Sequence, residues 1–124
     1  MRSYLGKIRQ FGTGATRDTD EGKHDFDGFN SPIVENRFAE YMTENRVQSD
    51  GSLRDGDNWQ KGIPIDAYMK SLMRHVHDVR LTHHGYMSKD DLENSLCAVR
   101  FNVNGYLFEL LKERKYMQKT SKVK

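Results

Sequence analysis

The sequence is poor in the residues that most often announce a protein's chemistry or location. It has one cysteine, two prolines and one tryptophan in 124 residues. The single Cys97 excludes an internal disulfide, and no zinc-ligand spacing is present. No apolar run reaches the roughly 20 residues of a membrane-spanning helix, and the opening segment MRSYLGKIRQFGTG lacks the apolar stretch of a secretion signal. The expectation is a cytoplasmic protein that does not enter a membrane. An excess of either charge is missing too: 31% of the residues are charged, yet the net charge is +2, which argues against a strongly basic nucleic-acid binder and an acidic tail protein alike. Phosphate-binding glycine loops, nucleophile elbows, HExxH pairs and internal repeats are absent. What remains is a chain long enough for one domain over 1–124, with one modest core and one site at a surface or interface.

The apolar residues that are present fall at helical spacing. Ser31 is placed to cap, and Pro32 to open, a first helix over 31–46, with Val34, Phe38, Tyr41 and Met42 on one face. Pro64 opens a second over 64–81, where Ile65, Tyr68, Met69, Leu72, Val76 and Val79 form one stripe. Ser88, with Asp91 three residues on, reads as the start of a third over 88–115, whose Leu92, Leu96, Val99, Val103, Tyr106, Leu107 and Leu110 are expected to face the core. The other side of that helix carries Cys97, Phe101 and Phe108, and a second apolar face in so small a chain predicts cover by another subunit. The fold class is therefore all-α, a small helical bundle of three main helices with an irregular N-terminal arm, completed as a homo-oligomer. In the arm, residues 13–25 hold no apolar side chain larger than alanine. They read either as a solvated linker or as a polar loop that closes over a charged ligand, with Phe26 and Phe29 pinning the segment to the core. Residues 47–63 form a long polar loop, and the basic tail over 115–124 reads as a frayed, solvated end. That tail is the one feature in favour of a DNA-associated role.

Few residues are chemically suggestive. His75 and Asp78 are three apart and neighbours on one shoulder of the second helix; they read as a helix-stabilising pair or as metal ligands. Asp91, Ser95, Asn102 and Glu109 form a polar seam beside the apolar stripe of the third helix, and a buried Asn102 needs hydrogen-bond partners. In DNWQKG, Trp59 lies between Asn58 and Lys61, an arrangement that suits a nucleobase with a phosphate or a loop plugged onto the core. Glu40, near Arg37 and Glu44, reads by itself as a surface ion pair.

The blocks TGATRDTDEGKHDFDGF, SPIVENRFAEYM, RVQSDGSLRDGDNWQKGIP, SLMRHVHDV and LCAVRFNVNGYLFELL, in this order, resemble the phage family described as the dATP/dGTP diphosphohydrolase N-terminal domain, over roughly residues 13–112. That family looks related to the MazG-like all-α nucleoside triphosphate pyrophosphohydrolases, which use Mg²⁺ held by helical carboxylates. The resemblance implies Mg²⁺-dependent hydrolysis of a purine deoxynucleoside triphosphate to monophosphate and pyrophosphate. It implies Glu40, His75, Asp78 and Glu93 as catalytic residues, with Glu40, His75 and Asp78 holding the metal. Arg17, Lys23, Asn58, Trp59, Lys61 and Asn102 are the expected substrate contacts, so that the arm becomes a phosphate-side loop. The E-x-x-E and E-x-x-D pairs of the MazG-like enzymes do not occur; His75 and Asp78, with Ser95 and Ala98, occupy the nearest positions. A nucleotide-binding module without hydrolysis is the alternative.

Overall fold

Residues 8–116 are described by the computed structural model, and they are mainly helical. In chain order the elements are β1 (Ile8–Gln10), β2 (Thr16–Asp18), α1 (Phe26–Phe29), α2 (Pro32–Glu44), a 3₁₀ turn (Asn58–Lys61), α3 (Ile65–His83) and α4 (Leu92–Leu111), which continues into a π-helical turn (Lys112–Tyr116). The basic tail lies outside the described residues beyond Tyr116. The chain divides into two compact units, Met1–Glu35 and Asn36–Lys124, and each is taken by itself.

The first unit is not wholly irregular. β1 and β2 pair antiparallel, with Arg9 opposite Arg17. The turn closes where the Phe11 N–H donates to the Ala15 carbonyl at 2.9 Å, and Gly14 takes the positive φ, +91°, that favours glycine. Arg9 donates from Nε to the Asp18 carbonyl at 3.1 Å and lies 3.6 Å from the Asp20 carboxylate. Composition hides this hairpin because Ile8 is the one apolar side chain in its two strands, too few for an alternating pattern. Phe26 and Phe29, expected to pin the segment to a core, are exposed, since the single helical turn that carries them has no face broad enough to bury two rings.

The helices of the second unit start and stop for identifiable reasons. Ser31 Oγ accepts from the Val34 N–H at 3.3 Å, so α2 opens where Ser31 and Pro32 place it. Pro64 precedes α3, and α3 ends in a Schellman arrangement: Gly85, with φ +86°, donates to the Thr82 carbonyl and Tyr86 to that of Leu81. The start of α4 differs from expectation. Asp91 is the cap, accepting from the Asn94 N–H at 2.7 Å, so the helix begins at Leu92. The carboxylate reaches the free N–H groups of the first turn and takes the role read for Ser88, whose hydroxyl is buried without a partner.

α3 and α4 run antiparallel, as the Tyr68–Gly105 contact and the Ile63 N–H donated to Glu109 Oε2 at 3.4 Å establish. The seam of α4 against α3 consists of small side chains, Ser95, Ala98, Asn102 and Gly105, all buried and spaced i, i+3, i+7, i+10. The expected core stripe is therefore not the core: Leu92, Leu96, Val103, Leu107 and Leu110 are 38–49% exposed. Small residues let two helix axes approach closely, and rotating α4 to bury that seam turns the leucines about 120° away. The Cys97, Phe101 and Phe108 side, expected to need another subunit, is covered within the chain. Trp59 packs edge-on to Phe101 and Phe108 at 6.4 and 5.0 Å, Arg100 lies 4.3 Å over the Phe38 ring, and Arg37 bonds Asn94 at 2.9 Å.

At Gly105 a Cβ would overlap the Tyr68 ring, which is 2% exposed and has nowhere to move. Gly105→Ala gains about 1 kcal/mol of helix propensity but forces a buried ring aside, at a cost of about 1–3 kcal/mol or more. The clash wins because the ring is rigid and enclosed. The expected result is a melting temperature lowered by several degrees in calorimetry, partly restored when Tyr68→Leu is added.

Candidate functional site

The second unit contains a cavity of about 650 Å³, within the range of small-molecule sites. Its walls come from the end of α2, the loop after it, the middle of α3 and one turn of α4. Tyr41, Trp59 and Phe101 supply aromatic surface, Arg46 and Arg54 positive charge, and Asn45, Asn58, Ser71, His75 and Asn102 polar groups. The loop is shaped by a short bridge between Val47 and Leu53 around Gly51, whose φ is +87°. Both arginines are anchored: Arg46 Nε donates to the Arg54 carbonyl at 2.7 Å, and Arg54 Nη1 to the Asn45 carbonyl at 2.9 Å. Asn102 donates from Nδ2 to the Ala98 carbonyl at 2.8 Å, which supplies a partner for its buried amide.

His75 belongs to the cavity wall and to a second cluster. His75, Asp78 and Asp90 each offer a donor atom, and these atoms lie within 4.8 Å of one another. Asp78 is 6% exposed, and its Oδ2 has no hydrogen-bond donor. His75 Nδ1, 3.9 Å away, is buried and unpartnered as well, and that separation is too long for a hydrogen bond. A buried carboxylate oxygen without a partner is costly, and a divalent cation here would satisfy both atoms at once. Two carboxylates suit the hard-oxygen preference of Mg²⁺, and the imidazole extends the set toward Mn²⁺. Tyr41 stands close by; burial first, then Cys97 and Asp90, raise its phenol above the ordinary value.

The remaining expected site residues separate. His75, Asn58, Trp59 and Asn102 share the cavity wall, with Trp59 also filling the plug role through its two ring contacts. Glu40 is exposed and belongs to neither cavity nor cluster; the Arg37 pKa is raised first by its hydrogen bond to Glu93, with Glu40 only a minor further contributor. Glu93 binds Arg37 at 2.6 Å in the first turn of α4 and ties α2 to that helix. Lys61 is exposed, 3.7 Å from Asp55, and absent from the wall. Arg17 and Lys23 belong to the first unit. In the polar seam, Asp91 is a cap and Glu109 a clamp, holding Lys112 at 3.0 Å besides the Ile63 N–H. Sequence reasoning missed Arg46, Arg54 and Asp90, which stand in turns and loop with no periodicity to mark them. Comparison with protein families, with curated proteins and with solved structures returned no match.

If the three donors form a cation site, Mg²⁺ or Mn²⁺ added without nucleotide raises the melting temperature. Stabilisation reaches about 2.7 kcal/mol at a hundredfold excess over Kd. Asp78→Asn, which removes the buried charge, is expected to abolish the ion-dependent rise whatever it does to the metal-free value, as read by thermal-shift titration.

Proposed function

We propose that this chain binds a purine deoxynucleoside triphosphate and, with a divalent cation, hydrolyses it to the monophosphate and pyrophosphate. One observation carries the proposal: a cavity of about 650 Å³ lined by aromatic and cationic side chains and by His75, the residue it shares with the His75, Asp78 and Asp90 cluster. The resemblance of the sequence blocks to phage dATP/dGTP diphosphohydrolases points the same way. In this reading the base lies against Tyr41, Trp59 and Phe101, with the side-chain amides of Asn58 and Asn102 available to its polar edge. Arg46 and Arg54 meet the phosphates, in place of the Arg17, Lys23 and Lys61 that the sequence suggests. His75, Asp78 and Asp90 hold the cation; Glu40 and Glu93 have no part in it. When bound, the cation would neutralise phosphate charge and make a coordinated water more acidic. Hydrolysis would join a water oxygen to the α-phosphorus as the bond to the α–β bridging oxygen breaks; pyrophosphate leaves with that oxygen and the water's proton passes to solvent. The residues of the chain contribute orientation: the anchored arginines fix the phosphate chain, and the rings hold the base away from water.

The test is incubation of the pure protein with each deoxynucleoside triphosphate and Mg²⁺, followed by anion-exchange analysis. Monophosphate and pyrophosphate from dATP or dGTP are expected, with turnover reduced at least about 10–100-fold in Asp78→Asn while the circular dichroism stays the same. Saturable nucleotide binding without product would instead identify a sequestering or sensing module. Neither binding nor turnover would remove the proposal.

A further inference from the structure

The cavity wall is cationic where the loop after α2 builds it, through Arg46 and Arg54, and aromatic where α4 and the Trp59 turn build it. On the aromatic side Trp59 stands edge-on to Phe101 at 6.4 Å, and Asn102 is the next residue along α4. Asn102 is the most deeply set polar group of the wall: it is 3% exposed and still lines the cavity. Its amide is held in one orientation. Nδ2 donates to the carbonyl of Ala98, one turn back, at 2.8 Å. Turning the amide over would press Oδ1 against that carbonyl oxygen, two acceptors in contact, so the nitrogen and oxygen ends are fixed by chemistry. Oδ1 takes no donor from the described residues. It is also not one of the fully enclosed polar atoms that lack a partner, which leaves it facing the open space of the cavity. Asn102 thus presents an acceptor, and a ligand that reaches it has to bring a donor. Ser71, on the facing helix, imposes no such choice, because a hydroxyl rotates to donate or to accept.

On the nucleotide reading of this cavity, we infer that Asn102 is a specificity-determining residue: it accepts a hydrogen bond from an exocyclic amine of the base and so selects an amine-bearing purine over one whose edge carries only acceptors. Position favours the base over the sugar as its partner. A base laid against the rings of Phe101 and Trp59 has its edge beside the residue that follows Phe101, while the phosphates are drawn to the arginines of the loop. Burial sharpens the choice. A ligand acceptor set against Oδ1 would leave both groups unpaired where little water can reach them, and a site built around one hydrogen bond discriminates strongly against an analogue that cannot make it. Adenine offers its 6-amine to such an acceptor, and guanine its 2-amine with the neighbouring N1–H.

The test compares dATP with the deoxynucleoside triphosphate of unsubstituted purine, which differs from it only in lacking the 6-amine. Both are used as α,β-methylene analogues, so that calorimetric titration reads binding without turnover. The wild-type chain is expected to bind the amine-bearing analogue at least about tenfold more tightly, and Asn102→Ala to bring the two affinities within about twofold of each other. Asn102→Ala also loses the bond to Ala98, so Asn102→Thr serves as a second variant. A threonine hydroxyl bonds the carbonyl four residues back, as Thr43 and Thr82 do in this chain at 2.8 and 3.3 Å. It keeps that contact while drawing the acceptor back from the cavity, and should level the two affinities in the same way. Equal wild-type affinities for the two analogues, or a preference that survives both substitutions, would overturn the inference and leave the nucleotide reading in place. Failure of the wild-type chain to bind either analogue would remove that reading, and the inference with it.

Discussion

The fit of the Tyr68 ring against Gly105 sets the rotation of both long helices, and most of the second unit follows from that rotation. With no side chain at 105, and only Ser95, Ala98 and Asn102 along the rest of the seam, α4 can lie close against α3. Once this line is fixed, 100° steps around each helix decide what every other residue meets. Ser71, Asp78 and Phe101 turn to the side covered by α2 and the Trp59 turn. Leucines and methionines of the same helices turn to the other. The cavity and the bare apolar face are thus two results of one packing decision.

The interior that results is unusually polar. Fully buried apolar residues among those described are Tyr68, Cys97 and Ala98, and they are matched by Asp78, Ser95 and Asn102. Several buried polar atoms, those of Tyr68, His75, Asp78, Ser88 and Ser95, have no partner among the described residues. Each such atom opposes folding, and a small apolar core gives little to offset it. Capture of a cation by His75, Asp78 and Asp90 would act on this deficit.

Much of the fold was legible because helices announce themselves locally. Ser31, Pro32 and Pro64 mark helix starts by backbone chemistry that needs no tertiary contact, but of the α3 stripe read as core only Tyr68 is fully buried, while Ile65 and Met69 are exposed. The inside of α4 was read the wrong way round. Periodicity locates the most apolar face, but a helix buries the face that fits its neighbour, and here four small or polar residues fit best. The same logic governs the site. His75, Trp59 and Asn102 could be singled out because a histidine, a tryptophan and a buried amide are conspicuous in such a sequence. Arg46, Arg54 and Asp90 could not, since a residue in an irregular segment has no phase from which its direction can be computed. Glu40 and Glu93 were proposed from the resemblance of whole blocks, and they stand on exposed helix positions that the periodicity of α2 and α4 already indicated.

The cavity has two walls of unequal origin. One is the α3–α4 hairpin, whose contacts link residues close in sequence across the short connection at 84–91, a topology that closes quickly and at low entropic cost. The other, from Ala39 to Ile63, is joined to the hairpin chiefly by Arg37 on Glu93 and Asn94, Phe38 beneath Arg100, and Trp59 on its two phenylalanines. Contacts of this kind release in local opening at lower free energy than the global transition. The second wall is therefore the part expected to open first, and any molecule that touched both walls would lend its binding free energy to the weaker one, ordering the loop that encloses it.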